Sequence, residues 1–352
     1  MAYISFQPND FFNTLLYTGN GSTQSLTGMG FQPDFTWIKT RSNSSNHQIH
    51  NSVAAYSYYY NRPNTSAAEI TSNSTTVTAF DSDGFSLGND GVINESGYTY
   101  ASWNWKAGTT SGLTGGTITP SAYSINTTSG MGIYQYTGNS TGGATIPHGL
   151  GQAPQCIIVK HIASGSDYWN VNFFNSPYLG NTGRLYLNEE DGNSATAAAW
   201  NSTAPTSTLI TLGSNGEVNA SGAMLLFAFA PVKGFSAMGE FKGNGDTRGC
   251  FIQTGFRPGF VLIKRVNGVG PWMIYHNKVP GYNETNTYLQ ANATSAEDTN
   301  AGNFGMSMYA TGFQPQSTSG ATGPNQDGDT YCYLAFADKS IASSNSIAGT
   351  AR

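Results

Sequence analysis

Charge is what this chain has least of. Only 10% of its 352 residues are Asp, Glu, Lys or Arg, against roughly a quarter in ordinary soluble domains. The net charge of −5 is spread thinly and no basic run occurs. That excludes the clustered Lys/Arg footprint of nucleic-acid binding and gives an anionic membrane surface nothing to attract. The longest apolar stretch, Ala223 to Val232, is far short of a membrane span. The opening Met1-Ala2-Tyr3-Ile4-Ser5 has neither the charged nor the apolar region of a secretory signal. Cysteine is scarce too, with three residues and no CxxC pair, so neither a disulfide framework nor a catalytic thiol is expected. HExxH and Walker motifs are missing, and no cofactor or metal is expected.

Glycine is abundant, at 43 residues, and aromatics make up 13% of the chain. Aromatic rings supply large buried areas, so the polar, weakly charged remainder reads as the surface of an all-β protein with many turns. One segment is written three times. Gly30-Phe31-Gln32-Pro33-Asp34-Phe35-Thr36-Trp37-Ile38-Lys39 recurs from Gly151 to Lys160 and from Gly255 to Lys264. An aromatic–x–Gly–Asn tetrad precedes each copy, at Tyr17–Asn20, Tyr136–Asn139 and Phe241–Asn244. The three lysines lie 121 and 104 residues apart, too long for a solenoid unit and suited to a small β-domain. A residue needed for folding should recur in all three copies, whereas a single-copy functional group should not.

The expected fold is three tandem antiparallel β-sandwich repeats, jelly-roll or immunoglobulin-like. An N-terminal arm (1–16) precedes the first repeat (17–107). A Gly/Ser/Thr-rich linker (108–131), a second repeat (132–233), a third (234–338) and a tail (339–352) follow. In each repeat the apolar run ending in lysine reads as a central strand, and a second aromatic-rich strand closes the unit. In Tyr98–Trp105 the aromatic alternation slips once, which suggests a bulge. Only Thr65–Ile70 and Thr294–Asp298 read as briefly helical.

Several residues invite a functional reading. Asp81, Asp83 and Asp90 are spaced like calcium ligands, but Asp-Gly turn chemistry accounts for them. His50 and His276 are each followed by asparagine, where the second copy has Phe174-Asn175, a tolerance that suits packing rather than metal ligation. Trp169 and Trp272 open equivalent strands and read as core. Tyr56, Tyr58, Tyr59 and Tyr60 form a cluster found only in the first repeat and are the candidate glycan or interface residues. Phe6, Phe11 and Phe12 in the arm are the candidate anchoring residues. Glu189-Glu190-Asp191 is the densest acidic cluster, and consecutive carboxylates on a turn point in different directions.

The segments GFQPDFTWIKTR, FDSDGFSLGNDGVINESGYTYASWNWKAG and LLFAFAPVKGFSAMGEFKGNGDTRGCFIQTGFRPGFVLIKR resemble virion-associated repeat proteins of tailed, often marine, bacteriophages. The opening FQPNDFFNTLLYTGNG and the closing YCYLAFADKSIASSNSIAGTAR share the resemblance, which spans most of the chain. It implies a non-enzymatic virion structural protein: a tail fibre, spike or surface appendage contacting host-cell glycans, or alternatively a capsid decoration protein. A polysaccharide-degrading enzyme is the remote alternative, with Glu189, Glu190 and Asp191 as its first candidates. The implied partners are other virion proteins and a homo-oligomer, a trimer above all, since three-fold closure hides edge strands.

Overall fold

A computed structural model describes residues 6–279, 283, 285–299, 304–316 and 323–339. Residues 1–5 of the expected arm and 340–352 of the expected tail lie outside them. The protein is all-β and antiparallel, with 39% strand and 3% helix.

Each third of the chain builds one large sheet, and the strand order is the same in all three. The motif strand (Phe35–Thr40, Cys156–His161, Arg257–Arg265) lies in the middle. On one side it pairs with the closing strand (Thr99–Trp105, Ala223–Phe229, Thr330–Lys339). That strand pairs in turn with an opening strand (Phe12–Thr18, Met131–Thr137, Ser236–Lys242). On the other side lies a second strand (Gln48–Asn51, Asn170–Phe173, Trp272–His276), followed by a two-residue edge piece. Residues 12–16 of the expected arm therefore belong to a strand. Within the expected linker, Ala122–Asn126 adds a sixth strand to the second sheet.

Burial on both faces explains the aromatic slip. Trp103 and Trp105 join Phe35 and Trp37 in an inner core, while Tyr100 and Ile38 join an outer one. The register of Thr99–Trp105 against Phe12–Thr18 is unbroken, so the expected bulge is absent there. A central strand covered on both faces has no need of polar alternate residues. Register shifts fall instead between Val77 and Ala79 and around Pro258.

The inner faces of all three sheets meet in one core. Phe35 packs on Phe227 at 4.6 Å, Trp105 on Phe260 at 5.6 Å, and Phe229 on Phe336 at 5.7 Å between ring centroids. These contacts join first third to second, first to third, and second to third. Only a void of about 10 Å³ remains among Phe35, Trp37, Ile158, Phe227, Leu262 and Leu334, so the centre is filled and is not a channel. The outer faces carry small sheets. In the first third, Val77, Phe85 and Leu87 cover Tyr17, Ile38 and Tyr100; in the second, Ile146, Ile210 and Leu212 cover Ile157, Val159 and Leu226.

The repeated motifs have structural causes. Gly30, Gly151 and Gly255 all adopt positive φ (+87°, +75° and +83°), the left-handed turn that launches the motif strand. In the tetrads, a Cβ on Gly19, Gly138 or Gly243 would lie 2.1–2.2 Å from the carbonyl oxygen of Glu95, Ala220 or Gln326. The next tetrad residue gives its backbone N–H to a buried asparagine: Asn20 to Asn94 Oδ1 (3.0 Å), Asn139 to Asn219 (2.9 Å) and Asn244 to Asn325 (3.1 Å). Each asparagine Nδ2 donates onward to backbone carbonyls, for example Asn219 to those of Gly213 and Thr141 at 2.8 and 3.0 Å.

Candidate functional site

The repeated lysines sit at the seams between thirds. Lys160 is buried, and its Nζ donates to the Ser66 carbonyl of the first third at 2.8 Å and to Asp167 O at 2.7 Å. Lys264 reaches the Glu190 carbonyl of the second third at 2.7 Å and Gly270 O at 2.5 Å. Lys39 reaches the Thr294 carbonyl of the third at 3.1 Å and Thr40 O at 2.9 Å. First grips third, second grips first and third grips second, so the ring is closed. A backbone bond repeats the pattern at each seam: Glu69 N to Ile162 O (2.9 Å), Asn193 N to Val266 O (2.8 Å) and Glu297 N to Arg41 O (2.8 Å). Burial lowers the Lys39 and Lys160 amines to about 8 and the Lys264 amine to about 7.

The seam segments 65–70 and 294–298 are irregular, not helical, and each ends in an isolated bridge, at Ile70 and Asp298. Carbonyls that a helix would turn inward are taken by a lysine from another third. Among the described residues the α-helices are Ala197–Trp200 and Gly216–Asn219.

Indole groups complete two seams. Trp169 Nε1 donates to Arg62 O at 3.1 Å, and Trp272 Nε1 to Tyr186 O at 2.7 Å. At the third seam the register puts His47 in that place. Its Nε2 lies 2.9 Å from Gln290 O, and its Nδ1 accepts the Trp37 indole N–H at 2.9 Å. A carbonyl accepts and an indole donates, so the ring is the neutral Nε2–H tautomer. Burial pushes its pKa down to about 3. The expected equivalence of His50 and His276 fails. His50 pairs with Thr36, whereas His276 pairs with Phe260, the counterpart of Phe35. The two are one residue out of register and face opposite sides of the sheet.

The aspartates with calcium-like spacing serve turns. Asp83 accepts the N–H groups of Gly28 and Gly30 at 3.0 and 2.6 Å, and Asp90 those of Val92 and Ile93 at 2.9 and 3.1 Å. Cys156, Cys250 and Cys332 are free thiols, the first and last buried.

The tyrosine cluster divides. Tyr60 is buried in an edge strand beside His50. Tyr56 is 55% exposed, and its ring stacks on Tyr58 at 5.1 Å; Tyr59 lies 5.2 Å from both. These three rings form an aromatic face on the first third. The arm phenylalanines are engaged within the chain. Phe12 is buried and stacks on Phe336 at 5.3 Å, so it is core and cannot anchor. Phe6 and Phe11 are half-buried against Phe235, at 5.5 and 6.4 Å.

Sequence reasoning missed the seams, because their partners lie in different copies of the repeat. The recurrence of lysine after each apolar run was the only signal. No curated protein and no solved structure matches the chain. A family model described as "Domain of unknown function (DUF7483)" matches residues 7–340, and the chain belongs to that family.

Proposed function

We propose that this chain is a non-enzymatic structural protein of a bacteriophage particle, part of a tail fibre, spike or similar appendage that touches host-cell glycans. The observation that carries this reading is how the side chains are divided. The repeated lysines and four of the five histidines are buried, and the lysines hold the seams. What the first third alone presents outward is the Tyr56–Tyr58–Tyr59 face. Stacked rings with a polar, weakly charged surround suit the C–H faces and hydroxyls of sugars. The resemblance of the repeat motifs to virion proteins supports the location. In this reading each third is a β-sandwich unit, of jelly-roll or immunoglobulin-like descent, and Phe6 and Phe11 contribute to the particle contact. A homotrimer of whole chains belongs to the same proposal.

A head-decorating role draws on a different observation, the internal three-fold closure. Three near-equal thirds offer near-equal surfaces to three neighbours around a three-fold position. Quantitative mass spectrometry of purified particles separates the two. The appendage reading expects a copy number far below that of the major capsid protein, together with loss of host adsorption in a Tyr56→Ala/Tyr58→Ala phage that still assembles. A copy number equal to that of the capsid protein, or unchanged adsorption, contradicts it.

A further inference from the structure

The three seams are built alike but are not equally filled. At each, a segment of one third (66–70, 190–194, 294–298) lies against the turn that follows the next third's motif strand. At the first–second seam the turn closes down, with the Ser66 hydroxyl on Gly165 O at 3.4 Å. At the third–first seam a hollow of about 180 Å³ remains beside Tyr288 and Gln290, but its acids are engaged. Glu297 holds Arg41 at 2.6 Å, and Asp298 accepts the Tyr288 hydroxyl at 3.0 Å. At the second–third seam the same position opens into a cleft of about 390 Å³.

That cleft is furnished differently. Tyr178 and Val269 line it at 48% and 56% exposure, together with Tyr186. Asp191 is exposed and makes no hydrogen bond or ion pair among the described residues. Asn193 receives the Arg184 N–H on Oδ1 at 3.0 Å, which leaves its amide NH2 as a donor. The nearby guanidinium groups are already paired: Arg265 with Asp329 at 2.9 Å and Arg184 with Glu217 at 3.1 Å. Tyr178 stands five residues beyond Phe173, as Tyr56 stands five beyond Asn51, the register equivalent of Phe173. The two exposed rings thus occupy matching turns of the first and second thirds.

We propose that this seam cleft binds a neutral sugar. The size suits a small ligand. A half-exposed ring and a valine offer an apolar wall for the C–H face of a pyranose, while a carboxylate and an amide offer an acceptor and a donor for vicinal hydroxyls. The guanidinium groups are ion-paired and the Lys264 amine at this seam is buried on the Glu190 and Gly270 carbonyls, so an acidic sugar or a phosphate finds no exposed cation here. The inference deepens the glycan reading and rests on it for ligand class only; it requires neither a virion location nor a functional tyrosine face.

Ligand-observed NMR on the full chain tests it, with cellobiose, lactose and diacetylchitobiose as neutral probes and glucosamine and glucuronic acid as charged ones. We expect saturable binding of at least one neutral disaccharide with a Kd of about 1 mM, weakened about tenfold by Tyr178→Ala or Asp191→Asn. Both positions are exposed, so these variants keep the parent melting temperature, and Tyr58→Ala leaves the affinity unchanged. The proposal is overturned by no saturable binding of any neutral probe, by preference for a charged one, or by binding that both cleft variants retain. Loss of binding in Tyr58→Ala moves the sugar to the tyrosine face and equally overturns it. None of these outcomes bears on whether the chain is a virion component.

Discussion

Asn94, Asn219 and Asn325 do more for this fold than their sequence signal suggests. Each accepts one backbone N–H and donates from its Nδ2 to carbonyls of a distant segment, fully buried. The tetrad glycine was legible as a repeat. Its asparagine partner was only half legible, because Asn94 and Asn219 open visible Gly-containing turns while Asn325 precedes a differently written one. Asn219→Ala should destabilise the chain by about 2–3 kcal/mol in urea unfolding, since buried carbonyls and an N–H lose their partner; a change near zero would contradict the assignment. The lysines predict a pH dependence. Burial lowers the Lys264 amine from an ordinary 10.5 to about 7. Between those values the unfolded chain binds more protons than the folded one, so stability rises with pH across that window. The rise ends as tyrosines held up by burial, such as Tyr100 and Tyr331 at about 12, begin to favour the unfolded state above about pH 10. Denaturation midpoints from pH 6 to 10 should climb for the parent chain and climb less for Lys264→Met.

Among elements, the seam segments depart furthest from the sequence reading. Thr65–Ile70 and Thr294–Asp298 carry helix-compatible residues, yet tertiary bonds override local preference and hold them out of a helix. Their amides at Glu69 and Glu297, with Asn193 at the remaining seam, should exchange with deuterium as slowly as strand amides although they lie outside the large sheets. Fast exchange there would mean that the seams open independently. Among the described residues the Arg41–Glu297 pair is an ion pair that crosses a seam. Guanidinium Nε meets both carboxylate oxygens at 3.0 and 3.1 Å, and both side chains are under a fifth exposed. Burial works to raise the Glu297 carboxyl, but the Arg41 guanidinium bonded to it and the His276 ring 3.8 Å away hold it below its ordinary value. Arg41→Met leaves that carboxylate without its main partner and should cost about 2–3 kcal/mol. Adding Glu297→Gln should recover part of the loss, and strict additivity in that cycle would deny the coupling.

For the whole molecule, the repeats were legible and their closure was not. Periodicity in a sequence reports units; it does not report that Lys39 meets Thr294, 255 residues away, or that the three inner sheet faces share one core. The exposed tyrosine ring at position 56 was legible because it recurs in no other tyrosine run. The seam cleft was not, since its two walls come from different thirds. The described residues of one chain share one core, so the proposed homotrimer is a matter of assembly rather than of completing that core. Hydrogen exchange followed by mass spectrometry across a urea series tests that closure most directly. A ring with one shared core predicts that the motif strands Phe35–Thr40, Cys156–His161 and Arg257–Arg265 lose protection together, at one common free energy of opening. Three separate opening energies, with one strand unprotected while the others hold, would show three independent domains in a row and contradict the account.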